Sequence, residues 1–337
     1  MKKPMSRGKK VAVAVAALLV AAPTALVASV RLRPLRTSPM WAGSVEATPE
    51  RLARGRYLAE HVAVCADCHS ERDWSTFSGP PIRGTQGGGG ELFGHAIGFP
   101  GEVTSRNITP HPTDGVGRWS DGELVRAVRE GVNREGRPLA PIMPYANYRV
   151  MGDEDTRAIV AWVRSLPSVA RRHPEPTLDF PLSLLVRTIP APAGPSGDGR
   201  VPTPTPRVDA AYGAYLTRLA SCADCHTPSE RGEPIAGKEF AGGQEFRLPG
   251  YVLRSANITP DATGIGAMSE DAFVARFQTY RVPDAEVAVA RPAQRTFMRG
   301  NTIMPWRMYA GMTDDDLRAI YRYLRTLRPV SNVVPRG

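Results

Sequence analysis

Read as a pattern of apolar and polar positions, the chain opens on a run of twenty residues without a charge, Val11 to Val30, between a basic start and Arg31-Leu-Arg-Pro-Leu-Arg36. Twenty apolar residues just span a bilayer, whereas the core of a cleaved signal peptide holds roughly 7 to 15. Small residues near Ala28 and Ser29 offer a cleavage site and Pro23 weakens a continuous helix, but the length favours an uncleaved anchor. The basic residues ahead of the run hold the N-terminus in the cytoplasm, so the bulk of the chain is exported.

Beyond this segment, helical periods dominate. Thr48-Pro49 starts a helix running through Leu52 and Leu58, with Thr as cap and Pro at the first helical position. Ser120-Asp-Gly-Glu123 is a capping box whose helix stops at Gly131, and a counterpart starts at Ser269 with Phe273, Val274 and Phe277 at helical spacing. Thr313-Asp-Asp-Asp316 caps a helix with Leu317, Ile320, Tyr321, Leu324 and Leu327 on one face, and Ile159, Val160, Trp162, Val163 and Leu166 repeat the pattern earlier. The fold class expected is all-α.

The chain repeats itself. Asn107-Ile-Thr-Pro110 recurs as Asn257-Ile-Thr-Pro260, Gly115-Val-Gly117 as Gly264-Ile-Gly266, and Ile142-Met-Pro144 as Ile303-Met-Pro305, in the same order. Asp153-Glu-Asp155 with Ala158-Ile159 returns as Asp314-Asp-Asp316 with Ala319-Ile320. The expected organisation is a leader and tether over residues 1–46, a first domain over 47–170, a proline-rich linker over 171–206, a second domain over 207–330 and a tail over 331–337. The linker holds nine prolines and is expected to be extended and stiff. Its apolar stretch Leu178–Ile189 is expected to dock on one of the domains.

Composition changes this picture little. The 337 residues suit two domains of ordinary size, and 42% hydrophobic with 23% charged residues describes neither a disordered nor a polytopic chain. The net charge of +10 suggests nucleic acid until it is located. Eight of the 43 basic residues, Lys2 and Lys3 among them, fall within residues 1–40 with no acid, which leaves 35 against 33 acidic residues over the rest. A phosphate-binding face needs its charge clustered on the folded part, so no nucleic-acid partner is expected and the charge belongs to the membrane segment.

The chemistry lies in the four cysteines. They occur as Cys65-Ala-Asp-Cys68-His69 and Cys222-Ala-Asp-Cys225-His226, with none left over. In an exported protein four cysteines ordinarily mean two disulfides. This spacing instead attaches haem c: two thiols three positions apart form thioethers to the vinyl groups and the next His is the proximal iron ligand. A redox dithiol needs no following His, and a zinc site would have to recruit two pairs 157 residues apart. Two covalently bound haem c groups are expected, with Cys65, Cys68, Cys222 and Cys225 as attachment points and His69 and His226 as iron ligands.

For the sixth iron position the first half offers Met143, Met151, His61, His95 and His111, while the second half has no histidine besides His226. Of Met268, Met298, Met304, Met308 and Met312, only Met304 shares a local context, Ile-Met-Pro, with a methionine of the first half, Met143. The intervals agree, 74 residues from His69 to Met143 and 78 from His226 to Met304. Met143 and Met304 are therefore the expected ligands, while Met298, Met308 and Met312 are read as flexible core filler. His95 and His111 read as surface groups. Gly87 to Gly90 reads as a mobile loop, since no Gly-Lys-Ser/Thr follows to cradle a phosphate. Asn107 and Asn257 fit a turn that donates towards a haem propionate, and fit equally well as plain turn residues.

With these motifs in hand the chain resembles a known group, the tandem dihaem c-type cytochromes similar to the cytochrome c subunits of membrane-associated bacterial alcohol, aldehyde and nicotinate dehydrogenases. The resemblance runs over roughly residues 47 to 330. It implies two tandem cytochrome c-like domains and electron transfer from a periplasmic dehydrogenase to quinone, another cytochrome or an oxidase, on the periplasmic side of the bacterial inner membrane. Members of the group with three haems differ from this chain, which has two motifs. A dihaem peroxidase with one open haem is the alternative, but a peroxidatic half should lack the matched methionine. No residues remain for the signalling domain of a haem-based gas sensor once both repeats are assigned.

Overall fold

A computed structural model describes residues 6–230, 232–248, 251–281 and 300–335. Met298, Lys2 and Lys3 lie outside the described residues. The helices in chain order are α1 (Arg7–Leu32), α2 (Pro49–Tyr57), α3 (Cys65–Cys68), α4 (Asp121–Glu130), α5 (Tyr145–Tyr148), α6 (Asp153–Ser165), α7 (Leu182–Leu185), α8 (Ala210–Leu219), α9 (Cys222–His226), α10 (Glu270–Gln278), α11 (Trp306–Tyr309) and α12 (Asp314–Leu324). The caps fall where the side chains put them. Thr48 accepts from Arg51 N–H, Ser120 and Glu123 close a capping box, Gly131 ends α4 at φ 69°, and Thr313 accepts from Asp316 N–H.

The first and last helices of each half cross at a glycine. A Cβ on Gly55 would stand 1.8 Å from the Ala158 carbonyl oxygen, and one on Gly213 would stand 1.9 Å from that of Ala319. Only a residue without a Cβ lets α2 lie on α6, and α8 on α12, at this separation. Leu58, Ile159, Leu216 and Leu317 are essentially fully buried around the crossings, each stabilising by about 1.5–3 kcal/mol relative to exposure. From the crossing glycine to the first cysteine the first half has one residue more than the second. The surplus is taken up as a π-helical turn over Leu58–Val62, closed by Ala63 N–H on the Leu58 carbonyl at 2.7 Å.

A single hydrophobic cluster runs through both halves. Around its rim, loop 73–79 of the first half meets the segment before α11. Asn301, buried, accepts from Ser78 N–H at 2.7 Å and donates to the carbonyls of Trp74 and Thr76, and the Phe77 and Tyr280 rings stack at 5.4 Å.

The expectation of an all-α chain is corrected in part. Helices carry the core, but three small antiparallel sheets are present among the described residues: β1 (Leu92–Phe93), β2 (Gly101–Thr104) and β3 (Thr177–Leu178) in the first, β4 (Ser229–Glu230) with β5 (Glu233–Pro234) in the second, and β6 (Glu245–Leu248) with β7 (Tyr251–Arg254) in the third. They lie in the long loops, where paired backbone satisfies groups no helix provides for. β3 belongs to residues 171–206, so the Leu178–Ile189 stretch docks on the first half, through Gly101 opposite Leu178. The proline-rich stretch also contributes buried residues, Val186, Ala193 and Val201. Its backbone is held by Asp153 N–H on the Val201 carbonyl, 2.8 Å, and by Ala193 N–H on Glu130, 3.0 Å.

Helix α1 is the one helix among the described residues long and apolar enough to cross a membrane, and none of its residues is buried. The tether behind it is fixed to the first half. Ser38 N–H donates to Glu130 at 3.0 Å, Val45 N–H to Asp121 at 2.7 Å, and Arg157 lies over the Trp41 ring at 5.2 Å.

Candidate functional site

Each Cys-Ala-Asp-Cys-His motif forms a short helix entered through a left-handed residue, Val64 at φ 46°, ψ 40° and Ser221 at φ 53°, ψ 32°. A β-branched residue there is an outlier costing on the order of 1–2 kcal/mol. The strain turns the chain sharply so that both cysteines and the histidine follow within one turn. All four cysteines are free and half-buried. Burial pushes the thiols of Cys65, Cys68 and Cys222 up to about 12 and that of Cys225 to about 11, so they are protonated at neutral pH.

The histidines are held alike. Nδ1 of His69 lies 2.8 Å from the Arg106 carbonyl oxygen, and Nδ1 of His226 lies 2.7 Å from that of Ala256. A carbonyl only accepts, so Nδ1 carries the proton and Nε2 is left with its lone pair. Burial holds both imidazoles below their ordinary pKa, which keeps them neutral and able to ligate. Gly89 N–H donates to the His69 carbonyl at 2.9 Å and Gly242 N–H to that of His226 at 2.8 Å. Gly87 to Gly90, expected as a mobile loop, lies hydrogen-bonded against the first motif and the Ser105 backbone. Gly89 sits at φ 72°, and a Cβ there would stand 2.3 Å from the Ser105 carbonyl oxygen.

Asn107 and Asn257 brace the next loop. Asn107 Oδ1 accepts from Thr109 N–H and Oγ1, while its Nδ2 donates to the carbonyls of Val169 and Arg171. Asn257 accepts likewise from Thr259 and donates to Thr263 and the Val330 carbonyl. Their amide donors are spent on protein groups, so these are turn residues.

The methionines sit in matched turns. Tyr145 N–H donates to the Met143 carbonyl at 2.8 Å across Pro144 (φ −82°, ψ 45°), and Trp306 N–H to the Met304 carbonyl at 2.7 Å across Pro305 (φ −78°, ψ 59°). Both are inverse γ-turns. Five residues on, Tyr148 donates to the Ala63 carbonyl at 2.9 Å and Tyr309 to that of Ala220 at 2.7 Å, each two residues before the first cysteine of a motif. The buried tyrosines thus tie each Met-Pro segment to its own motif. Met304 and Cys222 both pack against the buried hydrophobic cluster. Tyr148 and Tyr309 escaped the sequence reading, although their equal spacing from Met143 and Met304 was there to be found.

The Met-Pro segment of the first half also reaches the second motif. Asn147, beside Tyr148, donates to Ser221 at 3.0 Å and to Asp224 at 2.8 Å. Asp67, buried between its cysteines, has its carboxyl pushed up to about 7 by burial, and Arg72 at 3.1 Å opposes that shift. Arg72 is held by the carbonyls of Gly79 and Ser78 and stacks on Trp74 at 4.0 Å.

The remaining candidates have other partners. His61 Nδ1 lies 3.0 Å from the Met308 carbonyl, His95 contacts Glu102 at 2.9 Å and Asp179 at 2.7 Å, and His111 Nδ1 accepts from Asp114 N–H at 3.0 Å. Met151, Met308 and Met312 are buried core residues, and the Met268 carbonyl accepts from Tyr321. Among the described residues no group of three or more His, Cys, Asp or Glu side chains could hold a metal ion, so the two cysteine pairs do not converge on one zinc site. Paired neutral thiols, a neutral imidazole with free Nε2 and a thioether tied to the same motif fit a covalent haem c in each half.

Residues 210–328 match the cytochrome c family. Over 290 residues, 82% of this chain, the sequence is 30% identical to the cytochrome c subunit of the quinone-type alcohol dehydrogenase of Gluconacetobacter polyoxogenes, of which the match covers 56%. It is 30% identical over 299 residues to the gluconate 2-dehydrogenase cytochrome c subunit of Pantoea cypripedii, covering 84% of this chain and 60% of that protein. The chain thus spans little more than half the length of these relatives. A dihaem c-type cytochrome of Cereibacter sphaeroides is 28% identical over 269 residues, 77% of this chain and 81% of its own length.

Proposed function

The chain belongs to the cytochrome c family, as a relative of the cytochrome c subunits of bacterial dehydrogenases, and on that premise we propose that it is a dihaem electron carrier with one His/Met-ligated haem c in each half. The observation that carries this reading is the equivalence of the two sites: the same left-handed entry, the same Nδ1 to carbonyl bond, the same γ-turn at methionine and the same tyrosine strut. A peroxidase with one permanently open haem requires the two halves to differ at the methionine, and there they agree.

When bound, each haem iron supplies a one-electron ferric/ferrous couple. Cys65 and Cys68 in one half, and Cys222 and Cys225 in the other, would hold it by thioethers. His69 and His226 present Nε2, fixed in tautomer and orientation by the carbonyls of Arg106 and Ala256. Met143 and Met304 would offer their thioether sulfurs to the iron as the remaining protein ligands, which would keep small ligands out and favour the reduced iron, making both centres relatively high in potential. Tyr148 and Tyr309 keep the methionine segments against the motifs, so little rearrangement accompanies a change of oxidation state.

The donor is a dehydrogenase on the exported side of the bacterial inner membrane, and the acceptor is quinone, another cytochrome or an oxidase. The names of the relatives, cytochrome c subunits of dehydrogenases, support the donor, and one of them mentions quinone. Helix α1 attaches the chain to that membrane.

The test is an absorption spectrum of the purified protein, oxidised and reduced, with and without carbon monoxide and peroxide. Two low-spin ferric haems with the weak methionine-to-iron band, and no uptake of carbon monoxide after reduction, are expected. A high-spin haem, or carbon monoxide binding at one site, would overturn the electron-carrier reading in favour of the peroxidase.

A further inference from the structure

We propose that residues 179–188 form a bearing that rests on the lipid surface beside α1, with Phe180 and Leu185 in the boundary between headgroups and acyl chains and arginines at the phosphates. This rests on the reading of α1 as a retained membrane anchor.

The segment Asp179-Phe-Pro-Leu-Ser-Leu-Leu-Val-Arg-Thr188 is unusually apolar for a surface connection. Phe180 is 78% exposed and Leu185 50%. Large apolar side chains left outward together mark an interaction surface. Their neighbour identifies the partner. Helix α7 and the turn after it pack against α1. The half-buried residues of α1, Val27, Ala28 and Val30, are those in the last turns of its uncharged run. If the run spans the bilayer, this end lies at the membrane boundary, and α7 lies there with it.

Charge agrees with placement. Arg31, Arg33 and Arg36 follow the apolar run, and Arg187 joins them by donating to the Arg33 carbonyl at 3.1 Å. Basic side chains beside exposed apolar ones are what an interfacial element needs against anionic headgroups. The acid in the segment, Asp179, is engaged by His95 at 2.7 Å.

The bearing is rigidly joined to the first half. β3 pairs with β2, Asp179 N–H donates to the Pro100 carbonyl at 3.2 Å, and Arg149 donates to the Ile189 carbonyl at 3.1 Å. Together with the Ser38 and Val45 bonds of the tether, the contact turns a flexible tether into a fixed mount, so the first half meets the membrane in one orientation.

The test uses the full haem-loaded chain in vesicles of phosphatidylglycerol and phosphatidylethanolamine, with p-benzoylphenylalanine replacing Phe180 in one sample and Ile235, a second-half residue 39% exposed, in another. After irradiation, lipid adducts read by mass spectrometry should be at least about tenfold more abundant at 180 than at 235. A chain that floats with the vesicles but gives no excess of lipid adduct at 180, or gives adducts there to a protein or to a second copy of itself, overturns the bearing and leaves the anchor standing. A chain that does not float overturns both. Phe180 is exposed, so its replacement does not threaten the fold.

Discussion

The Tyr57 hydroxyl donates a 2.5 Å hydrogen bond to Asp316, reaching from the first helix of one half to the last helix of the other. The relationship is returned, for Tyr215, the counterpart of Tyr57, donates at 2.7 Å to Asp155, the counterpart of Asp316. Each hydroxyl also accepts from the backbone N–H ahead of that helix, Thr313 at 3.2 Å for Tyr57 and Gly152 at 3.1 Å for Tyr215. Equivalent residues exchange partners in this way only when two copies face each other through the same surface, as in a two-fold dimer. Arg54 lies near that axis, bidentate on Asp155 at 2.8 and 2.9 Å and 3.1 Å from its own counterpart, Tyr212. The halves are thus seated on each other.

Removing either hydroxyl leaves a poorly hydrated carboxylate without its donor. Tyr57→Phe and Tyr215→Phe are each expected to lower stability by about 1–3 kcal/mol, Tyr57→Phe the more severely because Asp155 keeps Arg54 whereas Asp316 has no equivalent bidentate partner. Denaturant unfolding of the two variants measures this, and wild-type midpoints in both would refute the role given to the pair.

The crossing glycines admit no side chain. Gly55→Ala and Gly213→Ala each place a methyl group within 2 Å of a backbone oxygen, which no rotamer change relieves, so a loss of about 3 kcal/mol is expected. Thermal unfolding of the haem-loaded variants checks it; a shift as small as that of a surface substitution would mean that the helices separate readily.

Met143→Ala and Met304→Ala should each open one haem. The reduced variants are expected to bind one carbon monoxide per chain and the double variant two, while the pyridine haemochrome still counts two covalent haems. A closed spectrum in the double variant would remove both methionines from the iron.

The contact between His95 and Asp179 gives a pH dependence with a definite sign. Asp179, and then Glu102, raise the imidazole above its ordinary value near 6.5. A raised basic group stabilises the folded form while protonated, so the contribution is complete below about 6.5 and is lost as pH rises through the raised value. Both partners are exposed, so the effect is local. Amide exchange at Asp179, corrected for intrinsic rate, should be slower at pH 5.5 than at pH 8.5, and His95→Gln should abolish the difference.

How much was legible depended on distance along the chain. The helix starts at Thr48, Ser120, Ser269 and Thr313 are legible in the sequence, because each cap and the backbone N–H it accepts from lie within three residues. The packing of Gly87 to Gly90 against the first motif is not legible, because the partner of Gly89, the His69 carbonyl, is twenty residues away and carries no sequence signal. The π-helical turn was hidden in a one-residue difference between the repeats. That Leu178–Ile189 docks is legible in its apolar residues, but which half it docks on is not, because composition reports stiffness and apolarity and says nothing of what the backbone pairs with.

By itself the sequence determined the repeated motifs, the two Cys-Ala-Asp-Cys-His sequences, the matched Ile-Met-Pro turns and the apolar first helix, since all of these are written in local spacing. Only the tertiary structure decided how the copies meet. Tyr57 and Asp316 stand 259 residues apart, and their pairing follows from two similar surfaces burying one shared core, an energy that belongs to no segment of chain alone.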